Sequence, residues 1–419
     1  MPEVRPFSPW MYNLSLVDIK DVVAPPYDVV SKEEVEFYKK KSPYNVFHLE
    51  LPESYEAAKK TLSDWIGRGV LVNSTSRRLF FYETEFRYGG KKFLRRGFIA
   101  LVEVSPFEEG KVLPHERVFP KVTEDRFNLL KTTKFQFSQI FGIYEDEELL
   151  LFNQIDRLKK KLFSVEFNSE VHTLYEISEE SYFKKFQEFF EKRPIFIADG
   201  HHRYTTALKY KDYMESLVGD SNGRDFSYIA MYLCPIEDEN LLMLPTHRVF
   251  YETPGTFSKL QNFCQEKKVF SFVQLEKVFK EEKNLNGLFE EKSSEFLFLT
   301  NEEVKVLKVR EEFMESIASK EPELSKVTLY NFLKVLEEAT GIKEEELKEK
   351  GKVKFLSKED KVLEEVKKGG VGVIFPVLSP QVLKEVARAR KRMPHKCTYF
   401  YPKNLTGMLF NEVSGKKLD

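Results

Sequence analysis

Long apolar runs are missing from this 419-residue sequence. The longest uncharged apolar stretches, residues 228–236 and 371–377, are less than half as long as the ~20 residues that a membrane-spanning helix needs. The chain also lacks an N-terminal basic segment followed by an apolar run and a small-residue cleavage site. We therefore expect a cytoplasmic protein that has no membrane partner.

An excess of one charge is also absent, and cysteine is scarce. The 66 Lys and Arg residues balance 67 Asp and Glu residues, which leaves a formal net charge of −1. Because such a balance provides no strong basic field, we do not expect a nucleic-acid partner. The three cysteines, Cys234, Cys264 and Cys397, are far apart and odd in number. This pattern favours reduced thiols over a disulfide framework or a zinc site.

Familiar phosphate-binding and metal-binding motifs are absent as well. The sequence contains no P-loop motif, no Gly-x-Gly-x-x-Gly motif and no His-Glu-x-x-His motif. If the protein binds phosphate, it does so without the phosphate-binding motifs of P-loop proteins, protein kinases and Rossmann folds.

The apolar pattern predicts an α+β protein, with antiparallel or mixed sheets and flanking helices. Ser31 and Glu34 have the spacing of a capping box, so we predict a helix from there to about residue 41. Aromatic and β-branched residues on both sides of Gly89-Gly90 predict a β-hairpin. Helical spacing of apolar residues over 146–162 predicts another helix.

A change of composition after residue 251 predicts two domains. Residues 252–350 are rich in Lys and Glu, and they begin with the breaker cluster Thr253-Pro254-Gly255. We place a motif-bearing domain at 1–251 and an α/β C-terminal domain at 252–419. The aromatic and basic residues near the C-terminus leave open whether the segment 393–413 returns to the first domain.

The most informative polar motif is Asp199-Gly200-His201-His202-Arg203, between a short apolar run and a predicted helix. A strand that turns directly into a helix presents free backbone amides and the positive end of the helix dipole, which together favour a bound phosphate. Arg203 adds a forked donor. Asp199 is open to three roles, as a metal ligand, as an orienting group for a histidine, or as a helix cap with solvent-facing histidines beside it.

Other polar motifs are less specific. His115 and Glu116 form a candidate acid/base pair, and Glu116 is alternatively a cation ligand. Further cationic or histidine side chains in such motifs are candidate anion ligands, although each motif taken alone is more typical of a surface turn with ion pairs or of a rigid proline turn. These candidates are Lys121, Arg126, His247 and Arg248.

Taken together, six motifs resemble, in order, the signature blocks of the bacterial domain of unknown function 1015 family. They are residues 24–29, 43–50, 115–116 with 124–126, 197–204, 245–248 and 398–403. The resemblance covers nearly the whole chain and departs at His395 and Cys397, where the family is expected to show Pro and Ser. The Asp199–Arg203 block is also similar to the nucleotide-binding block of the ParB/sulfiredoxin superfamily, especially that of its free serine kinases, which implies a strand-turn-helix nucleotide site.

This resemblance implies a kinase that transfers a phosphoryl group from ATP or ADP, with Mg²⁺, to a small hydroxyl metabolite. Free L-serine, giving O-phosphoserine, is the first candidate. The resemblance carries over Asp199, Gly200, His201, His202 and Arg203 as the phosphate and catalytic block. We further assign Asp199 as a metal ligand and Glu116 as the base on the acceptor hydroxyl. Donor phosphates would contact Gly200, His202 and Arg203, with Lys121, Arg126, His247 and Arg248 completing the anion-binding wall.

Two other functions remain open at this point. One is a ParB-type regulatory protein that senses a nucleotide without turnover. The other is phosphodiester hydrolysis, which needs a metal-binding carboxylate cluster, and its candidate members are Asp28, Glu116, Asp125 and Asp199. The sequence is compatible with a homo-oligomer and does not specify one.

Overall fold

The computed structural model describes residues 1–418 except 117, 119, 252–256 and 283, and leaves the side chains of Pro120 and Lys121 undescribed. In this described part of the chain the strands are β1 (Val4–Arg5), β2 (Trp10–Tyr12), β3 (Leu71–Asn73), β4 (Leu79–Tyr88), β5 (Lys91–Glu103), β6 (Val112–Leu113), β7 (Phe135–Gln136), β8 (Ile140–Tyr144), β9 (Lys160–Phe167), β10 (Glu170–Ile177), β11 (Ile195–Asp199), β12 (Tyr228–Pro235), β13 (Leu242–Pro245), β14 (His247–Phe250), β15 (Cys264–Ser271), β16 (Glu295–Leu299), β17 (Glu303–Val309), β18 (Val353–Leu356), β19 (Val371–Ile374), β20 (Thr398–Tyr401) and β21 (Asn411–Glu412). The helices of the same residues are α1 (Ile19–Val22), α2 (Lys32–Lys41), α3 (Phe47–Glu50), α4 (Tyr55–Gly67), α5 (Pro120–Thr133), α6 (Ile155–Leu158), α7 (Glu180–Phe190), α8 (His201–Val218), α9 (Phe272–Glu282), α10 (Glu311–Lys320), α11 (Thr328–Thr340), α12 (Glu344–Glu349), α13 (Glu359–Lys367) and α14 (Pro380–Arg388). None of these helices combines the length and apolarity needed to cross a membrane.

The larger sheet follows the order β6-β11-β8-β12-β5-β4-β10-β9, and β1 adds a short pairing along β5. The β11–β6 and β12–β8 pairs are parallel and the other pairs are antiparallel, so the sheet is mixed. The β4–β5 hairpin turns at Gly89-Gly90, with Tyr88 opposite Lys91, which confirms the predicted hairpin. The capping box at Ser31 and Glu34 is also present. The mixed α/β class predicted from the sequence is confirmed.

The smaller sheet has the order β15-β17-β16-β19-β14-β18, and each of its described pairs is antiparallel. Its strand β14 precedes residue 251, so the chain enters this sheet several residues before the composition changes. The breaker cluster 253–255 lies outside the described residues. One apolar cluster continues from the larger sheet into the smaller one, joining residues such as Phe141 and Phe296.

The predicted helix over 146–162 is wrong. The structure has a 3₁₀ turn at Leu150–Phe152, the short helix α6 and then the edge strand β9. Leu149 and Gln154 adopt left-handed backbone conformations, with φ of 50° and 73°, which prevents a continuous helix. Leu151 and Ile155 are nevertheless buried, and Phe152 packs against aromatic rings of the larger sheet, whereas Leu150 is exposed.

The C-terminal segment lies along the larger sheet. Strand β20 pairs with β13, and β21 pairs with β7. Between them, the fully buried guanidinium of Arg95 donates to the carbonyl oxygen of Pro402 at 2.6 Å and to Oδ1 of Asn404 at 2.6 Å. Arg95 therefore holds the two residues on either side of Lys403, Pro402 through its backbone and Asn404 through its side chain.

Replacing Arg95 by Met is expected to lower the free energy of unfolding by about 3 kcal/mol, because a charged donor is lost and two acceptors remain without it. Denaturant titration of Arg95→Met measures this loss. Arg87→Met is the matched control, since Arg87 is exposed on the neighbouring strand β4 and its removal is expected to change stability by less than about 0.5 kcal/mol. Equal stability losses in the two variants would contradict the anchoring role of Arg95.

Candidate functional site

A cavity of about 1000 Å³ lies where the end of β11, the loop after β18 and the C-terminal segment meet. Residues 25–31 form a further wall. The cavity carries charges of both signs, contributed by Asp28, Glu34, Glu116, Glu170, Asp199, Arg203, Lys358, Lys361, Lys396 and Lys403. Its size suits a small-molecule ligand.

The segment 195–218 forms the strand, turn and helix predicted from its sequence. Four buried residues of β11 lead to Asp199, and the 18-residue helix α8 begins at His201. Gly200 links the two with a φ of 94° and provides no side-chain acceptor for the amides of the first helical turn. The positive end of the α8 dipole therefore faces the cavity, which favours an anionic ligand there.

Asp199 forms ion pairs with two cationic side chains at this turn. Its Oδ1 accepts from Nζ of Lys403 at 2.5 Å, and its Oδ2 accepts from Nη2 of Arg203 at 3.1 Å. Burial alone would raise the pKa of the Asp199 carboxyl, but the charges of Lys403 and Arg203 hold that pKa below its ordinary value. Asp199 is therefore an ionised group that positions two cations.

Arg203 is also held by the two residues that precede β8. Its Nη1 donates to Oγ of Ser138 at 2.9 Å and to the carbonyl oxygen of Gln139 at 2.8 Å. Because these contacts fix its plane, the guanidinium lies at the cavity wall with little freedom to reorient.

Gly200 is restricted by this arrangement, and replacing it by Ala is expected to cost about 1–2 kcal/mol in the free energy of unfolding. A Cβ at Gly200 would meet Nη2 of Arg203 at 3.0 Å, so we also expect weaker phosphate binding. Gly219→Ala is the matched control, because Gly219 has a φ of 78° but open space around its Cβ position. Unfolding titrations and phosphate-binding measurements on both variants separate backbone strain from contact with Arg203. Equal phosphate affinity in the two variants would show that this contact is unimportant.

The histidines at the start of α8 differ in environment. His201 is buried, and its Nε2 accepts from the backbone amide of His115 at 3.3 Å. Burial, together with the nearby His115, lowers the pKa of His201 to about 3, so the ring is neutral. His202 is half-buried and lines the cavity, and burial lowers its pKa as well. Both histidines line the cavity, but Nε2 of His201 is engaged by the amide of His115, whereas His202 is only half-buried.

Glu116 lies on the cavity wall against the C-terminal segment. Its Oε1 accepts from the backbone amide of Lys396 at 2.9 Å and lies 3.0 Å from Nδ1 of His395. Burial alone would raise the pKa of Glu116, but the contact with His395 and the neighbouring His201 and His115 hold it well below its ordinary value. Glu116 is therefore a fixed, ionised carboxylate.

Arg126 is an anion ligand predicted from the sequence that the structure places outside the cavity lining. Its Nε and Nη2 donate to Oδ2 of Asp125 at 2.9 and 2.6 Å, and its Nη1 donates to the carbonyl oxygen of Glu50 at 2.8 Å. The guanidinium is buried by these contacts. The other cation predicted in this region, Lys121, has a side chain outside the described residues.

His247 and Arg248 also lie outside the cavity lining, because they belong to β14 in the interior of the smaller sheet. His247 is buried, and its Nδ1 accepts from the amide of Phe375 at 3.2 Å. Arg248 is fully buried, where it is paired with Glu344 and donates to the carbonyl oxygen of His395 at 2.9 Å. Arg248 therefore acts on the site indirectly, by fixing the turn that holds Glu116.

Burial of two histidines predicts a loss of stability in acid. The pKa values of His201 and His247 are lowered to about 3, against about 6.5 in an unfolded chain. The unfolded state therefore binds more protons as the pH falls from 6.5 toward 3, and each histidine is expected to remove about 2 kcal/mol of stability by pH 5. Urea titrations at pH 7.5 and pH 5 should show a smaller loss for His201→Gln and His247→Asn, which retain the acceptor position. A pH dependence identical to that of the wild type would contradict this prediction.

The residues present do not form a ready magnesium site. In the described part of the chain, no group of three or more His, Cys, Asp or Glu side chains is placed to hold a metal ion. Both oxygens of Asp199, the predicted metal ligand, are occupied by Lys403 and Arg203. Asp125, predicted for a carboxylate cluster, is paired with Arg126 and Tyr55 and does not line the cavity. Asp125 is therefore not brought together with the other carboxylates of the predicted cluster in this cavity.

Lys403 was not among the site residues predicted from the sequence. Its side chain is 9% exposed, and Nζ contacts both Asp199 and the face of Tyr399. The only sequence signal was the aromatic and basic block 398–403, which indicated that the segment is special without indicating its partner. Lys358, Lys361 and Lys396 reach the cavity in a similar way from distant parts of the chain.

Comparison with known proteins identifies a family. The sequence model described as "Protein of unknown function (DUF1015)" matches residues 4–354, so the chain belongs to this family, and the predicted family is confirmed. The match covers five of the six motifs and ends before the sixth, residues 398–403. A search of curated proteins gives no match.

Similar solved structures include a free serine kinase mutant in complex with AMP, with a TM-score of 0.37, 10% identity and coverage of 72% of this chain and 86% of that one. A mutant of the free serine kinase in complex with ADP has a TM-score of 0.36, 11% identity and coverage of 72% and 86%. A conserved hypothetical protein from Pyrococcus furiosus has a TM-score of 0.35, 11% identity and coverage of 73% and 93%. Similarity this weak identifies no activity.

Proposed function

We propose that this member of the DUF1015 family is a phosphotransferase that moves a phosphoryl group from a nucleotide to the hydroxyl group of a small metabolite. One observation carries the proposal. The N-terminus of α8 faces a ligand-sized cavity together with two cations, Arg203 and Lys403, that a single carboxylate holds in place. Phosphoryl transfer requires mainly positioning and neutralisation of charge, and this arrangement is suited to both.

The donor phosphates would lie at the start of α8. The amides of the first turn supply hydrogen-bond donors, and Arg203 supplies a planar, oriented guanidinium. Lys403 supplies a second charge opposite the turn. Mg²⁺, if required, would enter on the nucleotide phosphates, in keeping with its usual binding by substrate oxygens and few protein ligands.

The acceptor hydroxyl would lie toward Glu116. This carboxylate is ionised and held in one orientation by the turn at His395 and Lys396, so it can accept a hydrogen bond from a hydroxyl and then its proton. Free L-serine is the first acceptor to test, because the Asp199–Arg203 block resembles that of free serine kinases. The exposed amine of Lys396, which lines the same cavity, offers a counter-charge for a carboxylate on such an acceptor.

The proposal is tested by incubating the purified protein with Mg²⁺, ATP or ADP, and a pool of hydroxyl metabolites that includes L-serine. Mass spectrometry then detects any new phosphorylated product. We expect a product that requires both nucleotide and acceptor and that is absent with Arg203→Ala. Arg388→Ala is the matched control, because Arg388 is a half-exposed arginine whose partner, Glu145, does not line the cavity.

Three outcomes distinguish the alternatives. A phosphorylated acceptor establishes the reaction and identifies the donor. Nucleotide binding without product, over the whole pool, would replace the phosphotransferase by a nucleotide-sensing regulatory protein. Release of phosphate without an acceptor would indicate a hydrolase instead.

A further inference from the structure

A second cavity, of about 780 Å³, lies at the other end of the larger sheet. Strand β10 shows the separation, because Glu170 at its start lines the first cavity and Ser178, just after its end, lines the second. At about 3.3 Å per residue, the eight residues of β10 place the two cavities roughly 25 Å apart. The second cavity is therefore a separate site.

Cations outnumber anions in the lining of this cavity. The cationic residues are Arg5, Arg77, Arg78, Lys184, Lys416 and Lys417, and the acidic residues are Glu180, Asp225 and Glu412. Two of these acids are already engaged within the protein. Asp225 accepts from the backbone amides of Ser414, Gly415 and Lys416 at 2.8 to 3.1 Å. Glu412 accepts from the indole of Trp10 at 3.1 Å and is paired with Lys416 at 2.7 Å. Even with Arg5 paired with Glu3 and Lys416 paired with Glu412, the remaining cationic residues of the lining outnumber its acidic residues, so the cavity carries an excess of positive charge.

Two arginines of this cavity each have a buried N–H donor for which the described residues provide no acceptor. Nη1 of Arg5 and Nε of Arg78 are buried and have no hydrogen-bond acceptor in this part of the chain, although Nε of Arg78 lies 3.6 Å from Glu176. A buried guanidinium donor without an acceptor is unfavourable by about 1–3 kcal/mol. An oxyanion in the cavity would provide the missing acceptors after small rotations of these side chains.

We propose that this second cavity binds a small phosphorylated metabolite through Arg5, Arg77, Arg78 and Lys417. Arginine is suited to phosphate because its planar fork matches two oxygens at once. Hydroxyl and amide side chains of the same lining, including Thr75 and Ser76, add neutral donors around the charged group. The volume lies in the range of small-ligand pockets. The site is independent of the function proposed for the first cavity.

Inorganic pyrophosphate is the probe, and its binding to the full chain is measured by isothermal titration calorimetry. The double variant Arg77→Glu with Lys417→Glu reverses two exposed charges of the lining. We expect it to weaken binding at this site by at least about tenfold. The control is Lys59→Glu with Lys60→Glu, which makes the same change of net charge at exposed positions of α4 away from both cavities. Binding by the control should change by less than about twofold.

Hydrogen–deuterium exchange then locates the bound pyrophosphate. We expect protection of residues 73–78 and 411–418, and we expect this protection to persist in Arg203→Ala, which removes a cation of the first cavity only. The proposal is overturned if pyrophosphate does not bind, if the control variant weakens binding equally, or if Arg203→Ala abolishes all protection. Should the glutamate variant fail to fold, Arg77→Gln with Lys417→Gln gives the same comparison without charge reversal.

Discussion

The variant Asp199→Asn is expected to bind nucleotide at least as tightly as the wild type and to transfer its phosphoryl group at least about 100-fold more slowly. Asparagine has nearly the same shape as aspartate but lacks the charge that holds Lys403 and Arg203. The two cations remain available to the phosphates, so affinity is retained. Their positions relax, and a misplacement of about 1 Å is enough for a loss of this size.

The same variant is expected to be less stable, by about 2 kcal/mol, because two cations remain near each other at a largely buried position without their carboxylate. Adding Lys403→Met removes one of these charges, and the double variant should regain part of that stability without regaining turnover. Thermal unfolding and single-turnover assays, performed on the same preparations with the acceptor identified by the product scan, measure both quantities. Turnover within about threefold of the wild type would exclude a positioning role for Asp199.

The strand-turn-helix at 195–218 was predictable because its signals are local. A buried apolar run, an Asp-Gly turn and helical spacing follow one another within a few residues, and each acts on the backbone at its own position. The hairpin at Gly89-Gly90 was predictable for the same reason. In contrast, the prediction of a helix over 146–162 was wrong. The same spacing of apolar residues also allows a 3₁₀ turn and a short helix to contact the sheet.

The partners within the site were not predictable, because they depend on contacts between distant residues. Lys403 and Asp199 are separated by 204 positions, and Glu116 and Lys396 by 280. Local composition also misled at Arg248, which has the polar neighbours of a surface turn and yet is fully buried. That burial is tolerated because Glu344 and several backbone carbonyls accept its hydrogen bonds, and all of these except the carbonyl of Thr246 are far from Arg248 in the sequence.

The variant Glu116→Gln is expected to retain nucleotide affinity within about threefold and to lose about 10²- to 10⁴-fold in turnover, which is the range for removal of a general base. Glutamine retains an acceptor for the amide of Lys396, so the turn is preserved while the proton acceptor is lost. Asp28→Asn is the matched control, since Asp28 lines the same cavity at an exposed position and has no proposed part in the reaction.

The lowered pKa of Glu116 makes it a weak base, and this is compatible with phosphoryl transfer. The transition state of phosphoryl transfer is loose. The acceptor hydroxyl therefore has to be oriented first, and it loses its proton late. The fixed carboxylate supplies the orientation, and it remains ionised from pH 5 to 8 because its pKa lies well below the ordinary value. The turnover of the wild type should therefore show no acid limb from Glu116 in this range. Unchanged turnover in Glu116→Gln, or an equal loss in Asp28→Asn, would require another group to take the proton.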